Sequence, residues 1–187
     1  MPQLMVVQVS TRPSRASDPI ARWALERVKA HGKLEATFAD LRAEALPVFD
    51  EPKHPRLGQY EHEHTQRWAA KVRAADAFLF VTPEYNFGMP PSLLNALTYL
   101  SAEWAYKPAG FVSYGGVSAG TRAQQMAKGP LTTLKVMPIP EAVSVPFFEK
   151  QIEDGVFAPA ELQAKALATV LDELAKWTSA LATIRKA

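Results

Sequence analysis

The 187-residue chain contains no cysteine, which excludes a disulfide framework, a thiolate nucleophile and cysteine-ligated zinc or iron–sulfur centres. Histidine is scarce, with 4 residues. An excess of one charge is missing as well. The 21 Lys+Arg against 19 Asp+Glu leave a formal +2, interspersed along the chain, so no basic tract follows nucleic-acid phosphates. Long hydrophobic runs are also absent. The longest uncharged stretch, Tyr85–Ala102, carries Asn86, Pro90, Pro91 and Asn95, whose polar groups a bilayer would leave unpaired. Met1-Pro2-Gln3 has no basic segment, and the Leu4–Val9 run after it falls short of the ~7–15 apolar residues of a secretory signal core. A buried strand is expected there instead. Neither a nucleic acid nor a membrane is an expected partner, and the lack of cysteine suits a reducing, cytoplasmic setting.

What the chain does have is alternation. With 48% hydrophobic residues and a length inside the ~100–200 residues of a typical domain, one domain over residues 1–187 is expected. Apolar runs of strand length recur at Leu4–Val9, Leu34–Phe38, Ala77–Val81, Ala109–Ser113 and Ala142–Val145, with helix-like stretches between them. That pattern predicts an α/β fold with a parallel sheet covered on both faces. The first helix starts at Ser17-Asp18-Pro19, a capping signature, and runs on through Ile20, Trp23, Ala24 and Val28. The last carries Leu167, Val170, Leu171, Leu174, Trp177, Leu181 and Ile184 at three- and four-residue steps, one stripe for the sheet. Between the second strand and a helix around Thr65–Arg73 lies a long connection, Leu46–Pro55, with three prolines. A connection of that length is usually functional or covered by a partner.

Ligands of an open parallel sheet bind beyond the carboxyl ends of the strands, near a topological switch point, which draws attention to three loops. Ser10–Ser17 offers four hydroxyls and the guanidiniums of Arg12 and Arg15 ahead of a helix N-terminus, a phosphate cradle in chemical terms. The plainer reading is a polar loop in which Ser17 or Asp18 caps the helix. Thr82–Pro91, with Tyr85, Phe87, Gly88 and three prolines, forms a stiff, partly apolar ledge for a flat heteroaromatic ring. Ser113–Arg122 contains three glycines that let a ligand approach the main chain; an ordinary strand-to-helix turn would read the same way.

Two other patterns are weighed and set aside. Gly116-Val117-Ser118-Ala119-Gly120 matches the G-x-S-x-G elbow of serine hydrolases in the required strand-to-helix context. That chemistry needs a histidine downstream of the serine, and His31, His54, His62 and His64 all precede Ser118. His54, His62 and His64 also cluster with Glu61 and Glu63, but on a helix His62 and His64 would point about 200° apart, so no metal site is expected. A polar helix start or a subunit contact is the expectation there.

Pro83-Glu84-Tyr85-Asn86, Leu94-Asn95-Ala96-Leu97 and Ser113-Tyr114-Gly115-Gly116, in this order and spacing, resemble the NADPH-dependent FMN reductase family, flavodoxin-like flavoproteins that include quinone, azo-dye and chromate reductases. Ser10-Thr11-Arg12-Pro13, Leu46-Pro47, Asp50-Glu51-Pro52 and Ala75-Asp76-Ala77 match as well, so the similarity spans roughly residues 4–180. The resemblance implies a three-layer flavodoxin-like sandwich with strand order 2-1-3-4-5. By position it implies that Ser10, Arg12 and Ser17 hold the FMN phosphate. The main chain from Pro83 through Glu84, Tyr85 and Asn86 to Phe87 would border the isoalloxazine, and Ser113, Tyr114, Gly115 and Gly116 would meet its other edge. Val9 and Ser14 stand where the family commonly has glycine, which predicts a crowded, stiffer phosphate loop.

The function so implied is an FMN-dependent oxidoreductase that takes hydride from NADPH or NADH and passes electrons by a ping-pong cycle to a small acceptor: a quinone, azo compound, chromate or flavin. The cofactor carries that chemistry, so no catalytic acid, base or nucleophile is expected. A flavin-binding electron carrier or redox sensor without its own NAD(P)H turnover is the alternative. The apolar content of a helix expected over Ser92–Trp104, with Leu93, Leu94, Leu97, Tyr99, Leu100 and Trp104, and the long connection that the resemblance places beside it predict a homodimer or a dimer of dimers with these elements at the interface and the partner walling part of the flavin site.

Overall fold

A computed structural model describes residues 1–186. Its strands β1 (Gln3–Gln8), β2 (Glu35–Asp40), β3 (Ala77–Pro83), β4 (Pro108–Gly115) and β5 (Met137–Pro146) pair in parallel in the order β2-β1-β3-β4-β5. Six helices accompany them: α1 (Ser17–His31), α2 (Leu41–Glu44), α3 (Glu63–Ala74), α4 (Pro91–Thr98), α5 (Thr121–Thr133) and α6 (Glu161–Lys186). This is the flavodoxin-like three-layer order, with the chain reversing its direction of travel across the sheet between β1 and β3.

The alternation of side chains along each strand sorts the core into two layers. Leu4 and Val6 face Ile20, Ala24 and Val28 of α1 and Leu167, Val170 and Leu174 of α6. Met5 and Val7 face the other way, with Phe78, Phe80 and Phe111, onto Trp68 of α3, Leu93 and Leu97 of α4 and Ala127 of α5. The central strand β3 is buried along its whole length, as a parallel strand covered on both faces requires. Among the described residues no helix is long and apolar enough to cross a membrane.

Three elements depart from the sequence expectation. β5 begins at Met137 rather than Ala142 because it is an edge strand, where Pro138 and Pro140 lose no ladder bond that the sheet needs. A two-stranded hairpin, β6 (Ile152–Glu153) and β7 (Val156–Phe157), turns on Asp154-Gly155 with both residues at positive φ, 49° and 74°, a turn the Asp-Gly pair encodes. Phe157 carries it against Trp23 of α1 at 5.2 Å between ring centroids. The helix expected over Ser92–Trp104 stops at Thr98 and is followed by a 3-10 turn at Ala102–Trp104. Its surplus apolar side chains are core: Leu93, Leu97, Tyr99, Leu100 and Trp104 are all at most 1% exposed, and only Leu94 reaches 43%. The sheet, α3 and α5 all close on this segment, so those buried residues give no sign of a subunit contact.

Candidate active site

Strand register brings the three loops to one edge. Gln8 lies level with Asp40 of β2 and Val81 of β3, Pro83 with Tyr114 of β4, and Ser113 with Ser144 of β5. The first loop leaves β1 through Val9, which is fully buried, donates to Val81 O (3.0 Å) and accepts at its carbonyl from Ser92 Oγ (2.7 Å). Its side chain joins the apolar core, so it does not crowd the loop as its replacement of glycine predicted. Ser14 is not among the residues at positive φ, so glycine's freedom is not needed there.

The two guanidiniums of this loop part company. Arg15 turns inward, donating to both carboxylate oxygens of Asp40 (2.6 Å each), to Asp18 Oδ1 (2.6 Å) and to Ser10 O (2.9 Å). It is a structural brace and not a ligand donor. Burial works against the Asp40 carboxylate, yet the Arg15 bonds and the Arg42 N–H outweigh it and hold its pKa below the usual range. Arg12 is exposed and makes no hydrogen bond or ion pair among the described residues. Asp18 is held by Arg15 and Gln8 Nε2 (2.5 Å), which neutralises the carboxylate next to the expected phosphate position.

The capping expectation fails. Ala16, with no side chain to offer, is the N-cap of α1, so neither Ser17 nor Asp18 satisfies the free N–H groups of the first turn, and an anion can. Ser17 is buried, with its Oγ accepting from Gln8 Nε2 at 2.8 Å. Around it gather the Ser10 and Tyr85 hydroxyls, which share a 2.8 Å hydrogen bond, and the Tyr114 hydroxyl, turned to Ser17 and Ser10. Burial keeps the Tyr114 phenol far above its ordinary pKa, so it remains a neutral donor. Gln8 and Asp40 are positioning residues that the loops alone do not show, and Asp18, expected as a cap, is a third. Their signal is pairwise and tertiary: Arg15 and Asp40 lie 25 positions apart.

The second loop is a tight turn. Tyr85 and Gly88 exchange N–H···O bonds of 3.0 and 2.9 Å, with Asn86 and Phe87 between them at φ 48° and 65°. Asparagine tolerates that region; a bulky phenylalanine there is an outlier. Phe87 is 72% exposed and carries the Arg122 guanidinium 4.2 Å from its ring centroid. The Glu84 side chain points away from the ledge to α5, accepting from Arg122 Nη1 (2.7 Å) and Arg122 N (3.1 Å). Burial opposes its charge, but Arg122 and Ser118 hold its pKa down. Glu84 thus locks the second loop to the third.

In the third loop Ser113 is fully buried and its Oγ has no partner among the described residues, a donor in need of an acceptor. Gly115 and Gly116 follow, and a Cβ built at Gly116 meets nothing within 4 Å. Gly120 is the reverse case. It sits at φ 77°, and a Cβ there would come within 2.7 Å of Tyr114 O. All twelve expected residues therefore frame one edge of the sheet. An uncapped helix end, an orphaned serine hydroxyl and an open glycine together suit a phosphorylated planar cofactor.

The NADPH-dependent FMN reductase family profile matches residues 2–150. The chain belongs to this family. An NAD(P)H-dependent FMN reductase of Schizosaccharomyces pombe is 38% identical over 162 residues, 85% of this chain and 80% of its own. A probable NADPH:quinone oxidoreductase of Oryza sativa subsp. japonica is 51% identical over 57 residues, 29% of each chain. Among solved structures, the flavoenzyme NAD(P)H:(acceptor) oxidoreductase of Paracoccus denitrificans superposes with a TM-score of 0.74 at 23% identity, over 96% of this chain and 98% of its own. Membership of this reductase family makes the chain an oxidoreductase.

The long connection is ordered in this family member by its own polar contacts. Asn95 donates to Pro47 O (2.6 Å) and accepts from Phe49 N (2.9 Å), and the Tyr99 hydroxyl donates to Asp50 Oδ1 (2.8 Å). Glu51 accepts from Glu61 N (2.9 Å) and His62 N (3.1 Å) ahead of α3. His62 and His64 do not point apart. His62 is the extended N-cap residue, outside the helix, so its ring stacks on that of His64 at 5.2 Å, and both reach Asp50. The expectation assumed helical geometry for both residues; the cap breaks it.

Proposed function

We propose that residues 1–187 form one FMN-binding domain that catalyses NAD(P)H-dependent reduction of a small flat acceptor. The observation that carries this reading is the uncapped N-terminus of α1, with buried Ser10 and Ser17 beside it and exposed Arg12 in the loop that leads to it. Those groups would hold the phosphate; the Pro83–Phe87 main chain and Ser113–Gly116 would border the ring. FMN, when bound, supplies the redox chemistry, taking hydride from NADPH or NADH and yielding electrons to the acceptor in a ping-pong cycle. The protein's part is to orient and to stabilise charge: the unpartnered Ser113 hydroxyl and nearby loop N–H groups would act as donors to a ring that becomes anionic on reduction.

Exposed apolar side chains support a flat aromatic acceptor of the quinone or azo type over an oxyanion such as chromate. Phe87 on the second loop, Val117 on the third and Phe147, whose N–H donates to Gly116 O (3.2 Å), are 72%, 81% and 48% exposed. A cytoplasmic location, where NAD(P)H is supplied, belongs to the same reading. The test is the visible spectrum of FMN-reconstituted, desalted protein before and after anaerobic NADPH, with NADH as a second trial. Prompt bleaching followed by recovery on adding a quinone is expected, and Arg12→Ala should weaken FMN binding at least tenfold. Retained flavin that neither nucleotide bleaches would instead favour the electron carrier or sensor. Flavin occupancy unchanged in Arg12→Ala would remove the phosphate role of that residue.

Homodimerisation rests on the exposed part of the elements the sequence suggests, Leu94 of α4 and the long connection beside it. Leu94 (43% exposed) lines two clefts that share Phe49 and Thr98, and Val48 (88%) lines one of them. A second copy on this face, and pairing of dimers, would cover them. Light scattering is expected to give twice the 20.6 kDa chain mass or a multiple of it; a single-chain mass would sink the idea.

A further inference from the structure

A cleft of about 840 Å³ lies away from the proposed flavin ledge, around the start of β4. Five cationic side chains line it, Arg56, Arg73, Lys107, Lys135 and Arg185, with Glu103 as the single carboxylate. The whole chain carries only +2, so this concentration is local. Arg73 is paired with Glu103 and Arg185 with Asp76, each at 3.0 Å. That leaves Arg56, Lys107 and Lys135 without a carboxylate partner among the described residues.

Two of these three cations are held by hydrogen bonds, Lys107 to backbone carbonyls and Lys135 to a tyrosine hydroxyl. Lys107 is 6% exposed and donates to Val72 O (2.7 Å) and Arg73 O (3.2 Å), the last turn of α3. Two of its three ammonium protons are used. Burial, then the charge of Arg185, pushes the amine down to about 8, against the opposite pull of Asp76 and Glu103. Lys135 stands at φ 60° opposite Tyr106 at φ 59°. Tyr106 N donates to Lys135 O (2.8 Å), and Lys135 Nζ donates to the Tyr106 hydroxyl (3.1 Å). Side-chain-bearing residues rarely adopt the left-handed region, and the bond between these two side chains sets the Lys135 ammonium at the cleft. Nothing in the proposed reductase cycle uses any of these groups.

We propose that this cleft is a second binding site, for a small diphosphate-bearing anion. The cations come from several separate parts of the fold and surround a concavity, which fits a compact multivalent anion better than an extended acidic chain. Its volume exceeds the needs of one phosphate. Bound anion would offset the mutual repulsion of the unpaired cations, most of all at Lys107, where desolvation makes that repulsion strongest.

The test is calorimetric titration of inorganic pyrophosphate into FMN-saturated protein at low ionic strength. One saturable site is expected, weakened at least tenfold in Arg56→Gln/Lys135→Gln and progressively by salt. Arg73→Gln gives a second variant should the double variant unfold, and it should weaken binding as well. ADP titrated alongside distinguishes the source: tighter binding than pyrophosphate supports a nucleotide ligand, and weaker binding supports inorganic diphosphate. The absence of saturable heat in the wild type, or unchanged affinity in folded cleft variants, overturns the proposal. So does a loss in Arg12→Ala with the cleft variants unaffected, because the pyrophosphate is then in the phosphate loop of α1. The site does not depend on the reductase reading, and a protein that retains no flavin can be titrated in the same way.

Discussion

Gly120→Ala is expected to lower stability by about 2–5 kcal/mol, the sum of a left-handed backbone penalty and a steric clash. The clash cannot be relieved by a side chain moving aside, because the atoms within 2.8 Å of the new Cβ are Tyr114 O and Tyr114 N. The β4 end must shift instead, carrying with it Ser113, Tyr114 and the loop proposed to border the flavin. A drop in apparent melting temperature of roughly 10 °C should be visible by circular dichroism in protein without added flavin. Gly116→Ala, four residues earlier, should behave oppositely. Its Cβ meets nothing and its φ lies outside the left-handed region, so melting should barely move while FMN affinity falls as the methyl group enters the cofactor's path. Equal melting temperatures for Gly120→Ala and wild type would contradict the first expectation. Full flavin affinity in Gly116→Ala would mean that the ring lies elsewhere.

Arg15→Ala should be almost as costly, by about 3 kcal/mol. The Arg15 side chain is 9% exposed and that of Asp40 17%, so its removal leaves a largely desolvated carboxylate without its bidentate partner. It also frees Asp18 and the Ser10 carbonyl, and FMN affinity should fall because Asp18 is then an unneutralised charge beside the phosphate site. The pH dependence supplies an internal check. Asp40's pKa is lowered in the folded state, so its contribution is present above the ordinary Asp value near 3.8 and is lost as pH falls through the lower folded value. The stability gap between wild type and Arg15→Ala should therefore be full at pH 7 and narrow toward pH 2. Removing the carboxylate too, in Arg15→Ala/Asp40→Ala, should recover part of the loss. A gap that stays constant with pH, or a double variant no more stable than the single one, would show that Arg15 acts through packing alone.

Much of the site was legible because its residues are local in sequence. Ser10–Ser17, Pro83–Phe87 and Ser113–Gly116 each follow an apolar run of strand length, and strand order alone brings such loops to one edge. The side-chain roles were less legible. Arg12 and Arg15 have the same chemistry three residues apart, yet among the described residues one has no partner and the other is held by Asp40; which is which depends on β2 lying next to β1. Of the leucines and aromatics from Ser92 to Trp104, only Leu94 is left exposed for an interface, because the segment is not one continuous helix. The chain ends that helix at Thr98 and folds Tyr99, Leu100 and Trp104 inward.

Alternating strand and helix periods admit few arrangements and turn residues mark where loops fall, so the α/β class and the three loops of the candidate site are properties of the local sequence. It also excluded thiol and disulfide chemistry outright. The tertiary structure sets which charged groups are paired: Glu84 with Arg122 and Arg15 with Asp40, while Arg12, Arg56 and Lys107 have no carboxylate partner among the described residues. The physical reason is that pairing depends on distances between elements far apart in the chain, and the energy of a charge depends on its burial, and neither quantity is a property of local composition.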